Sequence, residues 1–250
     1  MIDGHCHLDK TKGDCRRAMD FLYREAKKNK VEGIILLNIP DIAFSNEEVL
    51  TAAEVYDGFF RVFPSPELKK SSLKTIGELK KKGATGIKLH PRLAQRRMDD
   101  PLYISFIKKA ADLNMPVLID CFPDGKNIAL GNVPEKIAVL AEKIPHARIA
   151  IGHAGGHKIL DALMVAKFYK NIYLDLSYTL LYYRSSDVIQ NLLYAIKSIK
   201  AERVFWGTDY PDRPYSMTVK LSVAELAKMK LCQEWKKKIL EDNVRKFLDE

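Results

Sequence analysis

The chain has 250 residues, 47% of them hydrophobic and 29% charged, a balance that supports a sizeable core and excludes a disordered chain. Its formal net charge is +9, but most of the excess lies in runs such as Lys69-Lys70, Lys80-Lys81-Lys82 and Lys236-Lys237-Lys238. Each run sits on a predicted helix and reads as a solvated outer face, so basic charge alone does not argue for nucleic acid. No run of about 18 apolar residues occurs, so no membrane span is expected. The four cysteines, Cys6, Cys15, Cys121 and Cys232, form no CxxC pair, and with the chemistry beginning at His5 no removable leader is expected. A cytoplasmic protein is the expectation.

In chain order, short apolar runs alternate with amphipathic ones. Strands are predicted at Ile2–Leu8, Gly33–Ile39, Phe59–Pro64, Gly86–His90, Val117–Cys121, Ile149–His153, Ile172–Tyr178 and Val204–Asp209. Helices are predicted at Asp14–Asn29, Asn46–Tyr56, Ser72–Lys82, Pro101–Leu113, Pro134–Lys143, Ile159–Tyr169, Ser186–Ile199, Ser216–Lys230 and Glu234–Leu248. Eight strands separated by helices form a parallel α/β pattern, and at this length closure into a (β/α)8 TIM barrel removes both sheet edges. One barrel over residues 1–250 is expected, with its site at the C-terminal ends of the strands.

Those strand ends carry His5, His7, His90, Asp120, His153 and Asp209, so four of the six histidines collect there. Alternation along the first strand turns His5 and His7 inward and Ile2, Gly4 and Cys6 outward. Two imidazoles so spaced can grip one divalent ion, with an aspartate supplying charge. Lys88, His90 and Arg92 follow on or after the fourth strand and suit an anionic group of the substrate. Asp175 and Ser177 share an inward face as positioning groups. His153 shares a face with Ile149 and Ile151, so it reaches the interior only if the strand bends near Gly152.

The segments Ile2-Asp3-Gly4-His5-Cys6-His7-Leu8, Gly86-Ile87-Lys88-Leu89-His90-Pro91, Ile151-Gly152-His153-Ala154-Gly155-Gly156, Trp206-Gly207-Thr208-Asp209-Tyr210-Pro211 and Asn243-Val244-Arg245-Lys246-Phe247-Leu248 are together similar to the amidohydrolase-related branch of the amidohydrolase superfamily, the branch of aminocarboxymuconate-semialdehyde decarboxylase. The resemblance implies a metal-dependent hydrolase acting on a small anionic amide, ester or lactone, or a non-oxidative decarboxylase with the same site. It implies a divalent ion, zinc first and manganese or iron next, held by His5, His7 and Asp209, with His153 and Asp209 as catalytic residues. Where the family's fifth strand ends in a histidine ligand, this chain has Asp120. Asp120 can replace that ligand, His90 can lean in, or the barrel is a non-catalytic one that holds no metal. The opening His5-Cys6-His7-Leu8-Asp9 also resembles TatD-type deoxyribonucleases, but Lys88 stands where their two-metal site needs a carboxylate. A small-molecule substrate is the expected partner, in a monomer or a homo-oligomer, without nucleic acid or membrane.

Overall fold

The computed structural model describes residues 1–66 and 72–249, and Lys69-Lys70 lies outside them. Eight strands form among the described residues: β1 (Ile2–Cys6), β2 (Gly33–Asn38), β3 (Phe60–Pro64), β4 (Ile87–Leu89), β5 (Val117–Ile119), β6 (Ile149–Ile151), β7 (Ile172–Asp175) and β8 (Val204–Phe205). The longer helices between and after them are α1 (Cys15–Lys28), α2 (Asn46–Ala53), α3 (Leu73–Lys81), α4 (Pro101–Asp112), α5 (Pro134–Lys143), α6 (Ile159–Phe168), α7 (Val188–Ser198) and α8 (Tyr215–Lys228), with α9 (Asn243–Leu248) last. Their starts follow local chemistry. Asp14 caps α1 by accepting from Arg17 N, Ser45 and Glu48 form a capping box on α2, and Pro101 and Pro134 open α4 and α5.

All strand pairings are parallel, in the orders β1-β2-β3 and β4-β5-β6-β7-β8. Backbone hydrogen bonds join the two arcs. Thr85 N donates to Val62 O at 3.0 Å on one side, and Gly4 N donates to Trp206 O at 2.9 Å on the other. The architecture is a (β/α)8 barrel. All strands but β3 end earlier than the apolar runs suggest, because the residues beyond them turn into the loops that carry the site. Among the described residues no helix is long and apolar enough to cross a membrane.

Outward strand residues such as Val117, Ile119, Ile149 and Ile151 join the core beneath the helices. Inward residues including Leu118, Ala150, Tyr173 and Phe205 form a second cluster inside the barrel. Ile2 belongs to that inner cluster, which corrects the expectation that it points outward. The cause is a register irregularity in β1 between Asp3 and Cys6, where three steps along β1 match two along β2. The alternation therefore resets before His5. Gly4 permits the close approach of β8 there, since a Cβ would lie 2.5 Å from the Phe205 ring and 2.9 Å from Trp206 O.

The inner cluster is completed by α9. Val244 and Phe247 are fully buried within it, and the Phe247 ring lies 5.0 Å from Tyr173 and 5.4 Å from Phe205. The last predicted helix, Glu234–Leu248, is thus interrupted by a π-turn at Lys238–Asp242 and ends as a plug in the barrel.

Candidate metal centre and cavity

A cavity of about 480 Å3 opens at the C-terminal ends of the strands. His5, His7, Lys88, His90, Arg92, Asp120, His153 and Asp209 all line it. Every residue expected in the site is therefore brought together, though not in one group.

His5 and His7 stand at the end of β1. His5 Nδ1 lies 2.5 Å from Asp175 Oδ2 and 2.9 Å from Ser177 Oγ. Donation to the carboxylate places the shared proton on Nδ1, so Nε2 is the nitrogen that faces the cavity and the one an incoming ion takes by displacing its proton. His7 Nδ1 donates to Leu37 O at 2.8 Å, so its Nε2 faces the cavity as well. Asp209 enters from the loop after β8 in the left-handed region, φ 56°, with its N–H donating to His5 O at 2.8 Å. Behind it Asp3, fully buried, accepts from Thr208 N at 2.9 Å and Thr208 Oγ1 at 2.7 Å, which fixes the β8 loop against β1.

Asp209 Oδ1 is 3.2 Å from His5 Nε2 and 3.6 Å from His7 Nε2. His5 Nε2 is buried and makes no hydrogen bond. Two imidazole nitrogens and a carboxylate oxygen converging within 4.8 Å of one another, one of them an orphaned buried atom, fit a divalent ion. The charges agree. His7 is lowered to about 3, first by burial and then by the His5 charge. For His5 burial opposes protonation, but Asp175 and Asp209 outweigh it and push the ring up to about 9. Asp209 is held below the usual carboxylate range by His5, against the pull of burial.

His153 reaches the same space by the bend that alternation required. β6 stops at Ile151, and His153, Ala154 and Gly155 all adopt positive φ, with His153 itself at 56°. The turn therefore falls on His153, one residue beyond the expected Gly152. Gly152 has its own reason: a Cβ there would lie 2.6 Å from Ile119 O. The His153 ring is held at both nitrogens, Nδ1 at 3.2 Å from Ser177 O and Nε2 at 3.2 Å from Asp120 Oδ1. Asp120, expected among the metal ligands, belongs to neither group of converging donors among the described residues, His5–His7–Asp209 or His5–His153–Asp175; it faces His153, with His90 Nδ1 3.6 Å from its other oxygen. His90 and His153 hold the Asp120 carboxyl well below its ordinary value, although burial opposes this.

The other side of the cavity is cationic. Lys88 is 1% exposed, and burial pulls its amine below the ordinary lysine value despite the Asp120, Asp209 and Asp175 charges. His90 Nδ1 and Arg92 Nε are buried without hydrogen-bond partners, while Arg92 Nη1 pairs with Asp124 at 2.9 Å. Two adjacent unsatisfied polar nitrogens beside a buried lysine suit an acceptor. Arg96 and Arg97 lie away from the cavity, paired with Asp100 and Asp99 at 2.8 Å. Phe122 and Tyr178, rings 5.1 Å apart, form an aromatic wall beside His153 that sequence reading did not assign to the site. It also missed Asp124 and Asn127; the Asp124-x-x-Asn127 spacing of a helix cap is the signal that could have marked this loop.

A family model described as Amidohydrolase matches residues 40–249. No curated protein matches the chain. Among solved structures it is similar to an uncharacterized TIM-barrel protein from Bordetella bronchiseptica, at 19% identity and TM-score 0.81, covering 100% of this chain and 98% of that one. A probable 2-pyrone-4,6-dicarboxylic acid hydrolase from Acinetobacter baumannii with citric acid bound gives 14% identity and TM-score 0.74, covering 100% and 99%. A 5-carboxyvanillate decarboxylase from Sphingomonas paucimobilis gives 13% identity and TM-score 0.72, covering 100% and 98%. At these identities the likeness is one of fold.

Proposed function

Because the chain belongs to the amidohydrolase family, we propose that it is a metal-dependent hydrolase acting on a small anionic amide, ester or lactone. The observation that carries this reading is His5, whose buried Nε2 has no hydrogen-bond partner and faces Asp209 and His7 while Asp175 holds the opposite nitrogen. A divalent ion bound by His5, His7 and Asp209 would supply Lewis-acid activation of a water or a substrate oxygen. Nitrogen and oxygen donors in this ratio suit zinc first, with manganese or iron as alternatives.

The chain's own residues do the rest. Lys88, His90 and Arg92 bind the anionic group of the substrate, with His90 Nδ1 and Arg92 Nε left without a hydrogen-bond partner in the protein. Phe122 and Tyr178 exclude water from the side nearest His153. His153 carries a proton at Nε2, where Asp120 Oδ1 orients the ring, and exchanges it with the reacting group. The four described cysteines are unpaired, which suits a reducing compartment such as the cytoplasm.

One feature favours decarboxylation as a second reading. His153 Nδ1 lies 3.2 Å from both Ser177 O and Ser177 Oγ and Nε2 lies 3.2 Å from Asp120 Oδ1, which holds the ring in place to hand a proton to a substrate carbon, the step that decarboxylation needs. Two measurements test the pair. Elemental analysis of protein purified without chelator should give about one ion per chain, and a protein that holds none and takes none up would end the metal-dependent reading. A screen of lactones, esters and carboxylic acids, followed for acid release and for carbon dioxide, separates hydrolysis from decarboxylation.

A further inference from the structure

Two fully buried asparagines join the loop after β4 to the loop after β5. Asn132 accepts from Met98 N at 2.8 Å and donates to Arg96 O at 2.8 Å, closing the first loop as an added peptide unit would. Its backbone N–H donates to Asn127 O at 2.8 Å. Asn127 in turn donates to Phe122 O at 2.8 Å and to Asp120 Oδ2 at 3.0 Å.

The Asn127 amide has one workable orientation. Reversed, its oxygen would face two acceptors, a carbonyl and a carboxylate, with no hydrogen between them. Asp120 Oδ2 is therefore fixed as an acceptor, and Oδ1 is the atom presented to His153 Nε2 at 3.2 Å. The same short helix, Gly125–Ala129, is capped by Asp124, which accepts from Asn127 N at 2.8 Å and pairs with Arg92 at 2.9 Å. One bracket thus touches the carboxylate and the arginine on the cationic side, with His153 one step beyond Asp120.

We propose that Asn127 is a positioning residue: it holds Asp120 in the rotamer that orients His153 and, with Asn132, keeps the β4 and β5 loops in register across the cavity. This rests on the reading of Asp120 as the partner of His153. Its test needs neither metal nor substrate, so it stands or falls separately from the proposed reaction.

Nitrogen-15 correlation spectra of the histidine side chains report hydrogen bonding at each ring nitrogen, and a His153→Gln variant identifies the His153 signals. In the protein as purified, Asn127→Ala should shift the His153 Nε2 resonance. Asn171→Ala, a distant amide that also donates to a backbone carbonyl, should leave it in place. In an Asp120→Asn background the Asn127→Ala substitution should add little to the shift. Folded Asn127→Ala with an unmoved His153 signal overturns the proposal. Should that variant not fold, Asn132→Ala, one link further from Asp120, is read the same way: a moved signal supports the bracket and an unmoved one overturns it.

Discussion

His5 and Asp175 meet 2.5 Å apart, both fully buried, with Ser177 Oγ 2.9 Å from each of the two atoms that touch. The carboxylate determines which nitrogen of His5 carries the proton and hence which one faces the cavity. Asp175→Asn keeps the shape but offers an amide that can bond to either tautomer. Metal affinity should fall about 10- to 100-fold, the usual cost of losing such a partner. Competition with a chromogenic chelator measures it, and unchanged affinity would mean that His5 does not use Nε2 for the ion.

Metal uptake should depend steeply on pH. His5 is pushed up to about 9 in the metal-free protein, so below that pH an incoming ion must displace its proton. His7, lowered to about 3, and Asp209, held in its ionised form, have none to lose. Loss of one proton gives an affinity that rises by roughly a factor of ten per pH unit from 7 to 9 and then levels off. Titrations at several pH values would show this slope, and a flat profile would remove His5 from the ligands.

Asp120 and His153 separate by variant. His153→Ala should keep its ion and lose at least about a hundredfold in turnover of whichever substrate the screen yields. Asp120→Asn should also keep the ion while lowering turnover, because it loosens the ring 3.2 Å away. His5→Ala and Asp209→Ala should lose the ion. A metal-free Asp120→Asn protein would restore Asp120 to the ligand set that the sequence suggests.

The plug is a stability prediction remote from the cavity. Phe247 is fully buried, with its ring against Phe63, Tyr173 and Phe205. Phe247→Ala should cost about 3–5 kcal/mol of unfolding free energy, the usual range for a phenylalanine removed from a core. Denaturant unfolding measures it, and a loss below about 1 kcal/mol would mean that the neighbouring rings collapse into the space.

Much of this cavity's lining is legible in the sequence, because period-two alternation and the barrel's one functional end together name a face and a place. Lys88, Asp120 and Asp175 all lie where alternation puts them. It failed at Ile2 and His153, where the backbone departs from a regular strand through a register shift in β1 and a left-handed turn after β6. Neither leaves a periodic trace. Alternation also says nothing of the His153 ring 3.2 Å from Asp120, since a strand end tells which way a carboxylate points but not which group stands opposite. Asn127 and Asn132 lie in a loop without periodicity, and only the folded chain shows that their amides meet.

The plug also orders events in time. β1 is made well before α9, yet both line one interior. Until residue 248 has emerged, the nascent barrel holds Tyr173 and Phe205 behind an unsealed end. A stop codon or protease cut a few residues earlier would therefore spare every cavity residue and still yield a chain with an open apolar bore, the kind of species that chaperones retain and that aggregates.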